Sequence, residues 1–244
     1  AKAAATPREA AKGAGVILSM LADDHAARAV WLGEDGALAG AKKGAVLVEC
    51  STITPEWVKE LGEAAEKKGC KLLDAPVTGT KPHAAAGELT FLVGGDAAAI
   101  EKARPALAVM SKAIVHVGPS GSGALIKLLN NFLCAVQAAA FAEALVVIEN
   151  AGLDRAKALD LLTNGTPGSP LVKAMAARMT ARDYTPQFSM KLMAKDLVYA
   201  GQTGWKHGVD LATAARALEI FQKAIAEGHG EEDFSSVVEL LRKK

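Results

Sequence analysis

Residues 44–55 read GAVLVECSTITP, a short apolar run followed by the signals that begin a helix. Thr54 can cap the first turn, and Pro55 suits the first helical position. Two similar apolar runs, at 16–21 and 70–74, are separated from this one by segments with helical periodicity. Short strands that alternate with helices of about 10–15 residues are typical of βαβ units. The sequence therefore predicts a mainly parallel sheet with helices packed on it.

The glycine-rich segment 118–123 (GPSGSG) ends this alternation. Before it, strands are also predicted at 88–93 and 113–117. After it, the chain shows helical periodicity and almost no strand signal. The sequence therefore predicts two domains, an α/β domain over residues 1–118 and an all-helical domain over residues 119–244. The predicted helices of the second domain are 124–151, 154–162, 171–179, 190–204, 210–227 and 231–241.

The helix predicted at 124–151 is apolar on nearly all sides and would extend about 40 Å. Its most apolar part, 132–148, contains Gln137 and Glu143, a polar content that is rare in a membrane span. We therefore expect a central core helix and no membrane partner. Such a helix would bury more surface than one subunit can cover, so we also expect a homodimer or a tetramer.

The composition excludes several functional classes. The 244 residues are 50% hydrophobic and 23% charged, which is typical of a globular protein. Lys and Arg number 28 against 27 Asp and Glu, so the chain lacks the basic excess of a nucleic-acid-binding protein. Three scattered cysteines favour buried thiols in a reducing compartment, and we expect a cytoplasmic protein. The five histidines show no metal-ligand spacing, so no metal is expected.

Lys127 has the most informative setting, on the central helix between Ile126 and Leu128. A lysine buried among aliphatic side chains is costly as a cation, so its charge must be lost or paired. Such a lysine is a competent general acid. Asn131, one turn later, could orient the ammonium or a substrate hydroxyl, and Gly123, one turn earlier, would leave room for a small substrate. The alternative is that Lys127 extends to water and has no catalytic role.

Three predicted loops lie at one edge of the sheet, where ligands bind in open α/β folds, beyond the carboxyl ends of the strands. After the third strand, Thr78 and Thr80 offer hydroxyls and Gly79 offers backbone N–H groups to a small carboxylate. The loops at 21–22 and 51–52 could line a nucleotide. On composition alone, each loop can also be an ordinary strand exit or helix cap.

Taken together, these stretches resemble the β-hydroxyacid dehydrogenase family, which includes 3-hydroxyisobutyrate dehydrogenase, tartronate semialdehyde reductase and, more distantly, 6-phosphogluconate dehydrogenase. The resemblance covers essentially the whole chain. It is carried by Met20-Leu21, ECST at 49–52, DAPVTGT at 74–80, Gly87 with Gly94-Gly95, Gly123-x3-Lys127-x3-Asn131, and KDL at 195–197. It implies a Rossmann-type domain that binds NAD or NADP, followed by an all-α domain with a long central helix.

The resemblance also implies a role for each candidate residue. Lys127 would be the catalytic lysine; Thr78, Gly79, Thr80 and Asn131 would bind the substrate; Leu21, Ala22, Thr52 and Lys195 would bind the cofactor. Two features depart from the family pattern: Thr78-Gly79-Thr80 stands where Ser-Gly-Gly is usual, and Ala22 stands where proline is frequent. By position alone, Lys195 and Asp196 would be a solvated ion pair that contributes little.

The family begins with a strand and a GxGxxG-like turn, and nothing similar precedes Val16. We therefore expect that a first βαβ unit of about 30 residues is absent, that the Rossmann-type domain is incomplete, and that the natural protein is longer. The residue that discriminates NAD from NADP would lie in that unit.

The sequence predicts an oxidoreductase that transfers a hydride between NAD(P) and a small 3-hydroxy acid or its semialdehyde, with a lysine as general acid. Two alternatives stay open. One is a catalytically silent dinucleotide-binding or assembly module. The other is an imine reductase-like enzyme, which shares the architecture but tends to replace the lysine.

Overall fold

In the first half of the chain strands alternate with helices, and from Ser122 onward the chain is helical. The computed structural model describes residues 2–242. Its elements are α1 (Pro7–Ala11), β1 (Val16–Ser19), α2 (Asp24–Trp31), α3 (Ala37–Gly40), β2 (Val46–Glu49), α4 (Pro55–Lys67), β3 (Lys71–Asp74), β4 (Val77–Thr78), α5 (Lys81–Ala86), β5 (Leu89–Gly95), α6 (Ala97–Ala108), β6 (Ser111–Gly118), α7 (Ser122–Asn150), α8 (Arg155–Asn164), α9 (Pro170–Ala181), α10 (Met190–Lys206), α11 (Ala212–Ala224), an irregular turn (Ile225–His229) and a 3₁₀ helix (Phe234–Leu240). The predicted α/β part followed by an all-helical part is confirmed.

The contacts divide the chain within α7, after Leu128. We call the part up to Leu128 the N-terminal unit and the part from Leu129 the C-terminal unit. The division that the sequence predicts near Gly118 falls at the end of β6, shortly before α7 begins.

The N-terminal unit contains one six-stranded sheet in the order β1-β2-β3-β5-β4, with β6 also paired to β5. Strands β1, β2 and β3 are mutually parallel, as are β5 and β6. The sheet is mainly parallel, as predicted, but β5 runs antiparallel to β3 and β4. The connection from β4 to β5 is shorter than the crossover of about a dozen residues that a parallel pair needs.

Both faces of this sheet are covered by apolar side chains. Leu47 packs with Trp31 and Trp57 on one face, whereas its neighbours Val46 and Val48 pack on the other. This alternation follows from the period of two in a strand. Because both faces are buried, β2 consists of apolar residues until it reaches Glu49.

Four short elements are missing from the sequence-based prediction, namely α1, α3, β4 and α5, which have two to six residues each. Segments this short do not fill the window in which a hydrophobic period can be recognised. The helix predicted at 231–241 is instead a 3₁₀ helix over Phe234–Leu240.

The core of the C-terminal unit forms where α7 packs against α9, α10 and α11. By length and composition α7 is apolar enough to cross a membrane, but half of its most apolar window is buried inside the structure. Its outer side still exposes Leu133 (55%) and Val147 (66%). The expectation of a core helix therefore holds for one side of α7.

Candidate active site

The loops after β1 and β2 lie side by side, because these two strands are parallel neighbours. Leu21 is partly buried and Ala22 is exposed in the first loop, and Thr52 is partly buried in the second. The backbone N–H of Leu21 donates to Ser51 Oγ over 2.7 Å. The structure thus joins the two loops that the sequence predicts at the cofactor.

A buried carboxylate supports these loops. Glu49 is fully buried, and its Oε1 accepts a hydrogen bond of 2.8 Å from the backbone N–H of Ser51. Its Oε2 accepts a 2.6 Å bond from the indole Nε1 of Trp31, which also lies 3.0 Å from Ser19 Oγ. The sequence analysis missed Glu49, although an acidic residue that ends a buried apolar strand was a usable signal.

The two acidic residues that follow Ala22, Asp23 and Asp24, have local structural roles. Asp23 is the N-cap of α2 and accepts from the N–H of Ala26. Asp24 accepts from the backbone N–H of Thr54 at 3.0 Å and from its hydroxyl at 2.5 Å. Asp24 therefore links the beginning of α2 to the beginning of α4.

The third strand ends in another buried carboxylate, Asp74, which holds the start of α7. Its Oδ1 accepts from the N–H of Gly121 at 2.8 Å, and its Oδ2 accepts from the N–H of Ala124 at 2.9 Å. Burial raises the pKa of Asp74, and these backbone hydrogen bonds oppose that rise. The carboxylate thus fixes the point where α7 meets the sheet, one turn before Lys127.

Two glycines make room for this junction. A Cβ atom at Gly94 would lie 2.6 Å from Asp74 Oδ1, and one at Gly123 would lie 2.3 Å from the Leu92 carbonyl oxygen. The expectation that Gly123 leaves room for a substrate is therefore wrong. Gly123 is buried and allows α7 to approach the sheet closely.

The loop after Asp74 carries the predicted carboxylate-binding residues. Thr78 pairs with Thr90 in the sheet, and Gly79 is exposed. Gly79 has φ +122°, a conformation that favours glycine, and a Cβ there would lie 2.9 Å from the Leu89 side chain. Thr80 is the N-cap of α5, with its N–H 3.2 Å and its hydroxyl 3.0 Å from His83 Nδ1.

Lys127 lies in the first turns of α7 and is partly buried. Leu128 beside it is fully buried, but Ile126 is 42% exposed. Lys127 is therefore less enclosed by aliphatic side chains than expected, because this part of α7 has one side exposed to solvent. Lys127 as a whole residue is neither buried nor fully exposed.

In the C-terminal unit, Asn131 is 4% exposed and its Nδ2 donates to Asp196 Oδ2 over 2.5 Å. The Lys195 ammonium lies 2.9 Å from Asp196 Oδ1 and 5.0 Å from the centre of the Tyr199 ring. The solvated-pair interpretation is wrong, because the Asp196 side chain is 1% exposed and that of Lys195 is 17% exposed. The sequence analysis missed the role of Asp196, which holds both Asn131 and Lys195.

Among the residues that the structure describes, no group of three or more His, Cys, Asp or Glu side chains is arranged to hold a metal ion. Cys50 and Cys70 are buried free thiols, and Cys134 is only partly buried.

Two family models match the chain. The model described as the NAD binding domain of 6-phosphogluconate dehydrogenase matches residues 1–118. The model described as NAD-binding of NADP-dependent 3-hydroxyisobutyrate dehydrogenase matches residues 121–241.

Curated proteins and solved structures give the same result. The chain is 37% identical to the NAD-dependent L-serine dehydrogenase of Pseudomonas aeruginosa, over 99% of this chain and 83% of that protein. It is 33% identical to glyoxylate/succinic semialdehyde reductase 1 of Arabidopsis thaliana, over 97% of this chain and 82% of that protein. The solved 3-hydroxyisobutyrate dehydrogenase of Mycobacterium tuberculosis with L-serine is 34% identical, with a TM-score of 0.88 over 97% of this chain and 82% of that one.

Proposed function

The chain belongs to the β-hydroxyacid dehydrogenase family, and from that premise we propose that Lys127 is its catalytic residue. The protein is an NAD(P)-dependent oxidoreductase that transfers a hydride between the cofactor and a small 3-hydroxy acid or its semialdehyde. Its first domain is of the Rossmann type. The similarity to dehydrogenases and a semialdehyde reductase favours this activity over a silent module or an imine reductase.

NAD or NADP, when bound, supplies or accepts the hydride. Leu21, Ala22 and Thr52 are proposed to hold it in the N-terminal unit, where ligands of parallel sheets bind. The residues fit a nucleotide, because exposed Ala22 and the 55% exposed Met20 offer apolar surface to a flat ring while Thr52 offers a hydroxyl. In the C-terminal unit, Lys195 is proposed as a further cofactor-binding residue, and its support is the fixed position that Asp196 gives it.

Lys127 is proposed to donate a proton to the substrate oxygen during reduction and to take one during oxidation. Its partly buried setting supports this role, since the residue is neither buried nor fully exposed. Thr78, Gly79 and Thr80 are proposed to bind the substrate carboxylate through hydroxyls and backbone N–H groups. Exposed Gly79, held in a left-handed conformation, presents its backbone at the surface.

Asn131 is proposed to position the reacting oxygen of the substrate. Its amide is fixed on both sides, because Nδ2 donates to Asp196 and Oδ1 accepts from Asn130 at 3.0 Å. An asparagine amide carries two N–H donors, so a second one can be offered to a substrate oxygen.

The observation that carries the proposal is the anchoring of α7 by Asp74, since the same strand exit leads to the Thr78–Thr80 loop. We expect Lys127→Ala to lower kcat by about 10²–10⁴-fold, the range for loss of a general acid. Lys112→Ala, at an exposed lysine of β6, is the matched control and should retain activity. Steady-state kinetics with a semialdehyde decide: retained kcat with only a raised KM would refute the proton-transfer role.

We further propose that the protein is cytoplasmic and forms a homodimer or tetramer without nucleic-acid or membrane partners. The exposed side chains of Leu133, Val147 and Leu161 (73%) support self-association, because large apolar side chains left in water favour an interface. Light scattering at micromolar concentration should give at least twice the mass of one chain. A monomer would contradict this part of the proposal.

A further inference from the structure

Glu49 is a buried acid that the proposed chemistry does not use. It ends β2 after three buried apolar residues and is itself fully buried. A carboxylate in such a place is costly unless hydrogen-bond donors satisfy it. Its retention at the edge where the cofactor loops leave the sheet therefore calls for a local role.

The contacts of Glu49 lead directly to these loops. Its Oε1 accepts from the Ser51 N–H (2.8 Å), and Ser51 Oγ in turn accepts from the Leu21 N–H (2.7 Å). Its Oε2 is fixed by the Trp31 indole at 2.6 Å, so the carboxylate cannot rotate without losing a bond. We call this chain of hydrogen bonds, from Glu49 through Ser51 to the Leu21 N–H, the relay. It connects the end of β2 to the immediate neighbours of Thr52 and Ala22.

A second carboxylate gives a natural comparison. Asp74 occupies the register position of Glu49 on the neighbouring strand and is equally buried. Its contacts lead to Gly121 and Ala124 at the start of α7. Two carboxylates at one level of the sheet thus support different parts of the candidate site.

We propose that Glu49 is a positioning residue for the cofactor: acting through Ser51, it fixes the loops after β1 and β2 in the arrangement that binds the nucleotide, without touching the nucleotide itself. The inference rests on the proposed function, because it concerns the same cofactor-binding loops. The relay determines the nucleotide affinity, whereas Asp74 determines the placement of α7, the helix that carries Lys127.

The test is the equilibrium dissociation constant of NADH and of NADPH, measured by calorimetry on the intact protein. Glu49→Gln replaces one acceptor oxygen by an NH₂ group, so one bond of the relay is lost. We expect the Kd of the preferred nucleotide to rise about tenfold, the equivalent of one such hydrogen bond. At saturating nucleotide, kcat should stay within about threefold of the wild-type value, because Glu49 does not reach the reacting atoms.

Two further variants make the test specific. Ser51→Ala removes the hydroxyl that holds the Leu21 N–H but leaves Glu49 in place, so it probes the relay even where Glu49→Gln fails to fold. The double variant should weaken binding no more than either single one, because both break the same chain of contacts. Asp74→Asn should raise the Kd less than Glu49→Gln does, while lowering kcat.

The outcomes separate the inference from the proposed function. The inference is overturned by a folded Glu49→Gln or Ser51→Ala protein that binds both nucleotides as the wild type does, or by an Asp74→Asn protein that loses affinity equally. Should the wild type bind nucleotide but oxidise no hydroxy acid and reduce no semialdehyde, the proposed function fails. The comparison of dissociation constants would still decide the role of Glu49.

Discussion

Buried carboxylates are held in different ways in the two units. In the N-terminal unit, Glu49 and Asp74 accept hydrogen bonds from uncharged donors, namely backbone N–H groups and an indole. In the C-terminal unit, Asp196 lies 2.9 Å from the Lys195 ammonium and Asp233 lies 3.3 Å from the Arg178 guanidinium. In the N-terminal unit, uncharged donors orient the two buried carboxylates. In the C-terminal unit, a cation beside each of the two carboxylates also balances its negative charge.

The difference is visible in the acidity of individual groups. Burial raises the pKa of Asp74 even though several backbone N–H groups oppose it. The pKa of Glu149 in the C-terminal unit is lowered, first of all by its hydrogen bonds with Arg242 (2.6 and 3.0 Å). A raised pKa means that the ionised acid is unfavourable where it stands. Asp74 contributes by holding the start of α7, whereas Glu149 contributes to stability through its ion pair with Arg242.

The largest expected effect concerns Asp233. Its Oδ2 accepts from the backbone N–H groups of Gln187 and Phe188, and its Oδ1 accepts from Ser235 and faces Arg178. Asp233→Ala would leave a largely buried guanidinium and the three backbone donors of Gln187, Phe188 and Ser235 without this partner. We expect a loss of about 3–5 kcal/mol in the free energy of unfolding, measured by urea denaturation.

The matched control is Asp154→Ala, which removes an exposed N-cap carboxylate of the same unit. It should cost only about 1 kcal/mol, the usual value for a helix cap. Equal losses for the two variants would break the comparison, because the buried ion pair would then contribute no more than an ordinary cap.

Much of this molecule could be predicted from local sequence. The strand–helix alternation follows from apolar runs and from helix starts such as Thr54 with Pro55, and this cap forms as expected. The long helix follows from the length of its nearly continuous apolar segment. These signals depend on neighbours within a few residues, so they can be recognised in one dimension.

The supports of the candidate site could not be predicted in the same way. The contact between Asp74 and Ala124 spans 50 residues, and that between Asn131 and Asp196 spans 65. Gly123 illustrates the problem, since its position beside Lys127 indicated space for a ligand while its real neighbour is the Leu92 backbone. Partners of this kind depend on which strand ends and helix faces meet, which the linear pattern does not specify.

The smallest expected effect is that the stability contributions of Asp74, in the N-terminal unit, and Glu149, in the C-terminal unit, change with pH in opposite directions. For Asp74 the folded-state pKa is raised, so its contribution to stability is fully present below the unfolded value of about 3.9 and is lost as the pH rises through the folded value. For Glu149 the folded-state pKa is lowered, so its contribution is present above about 4.3 and is lost as the pH falls through the folded value.

Both pH dependences can be measured by urea denaturation of the wild type, Asp74→Asn and Glu149→Gln between pH 7 and pH 3.5. As the pH falls, the wild type should gain stability relative to Asp74→Asn, because its buried carboxyl becomes protonated in the folded state. Over the acidic end of the same range, the wild type should lose its advantage over Glu149→Gln, an advantage of up to about 1 kcal/mol for a partly exposed ion pair. Slopes of the same sign for both variants would mean that Asp74, like Glu149, is stabilised as an anion. The two units would then hold their acids in the same way, and position alone would no longer explain why an acid is buried at the end of β3.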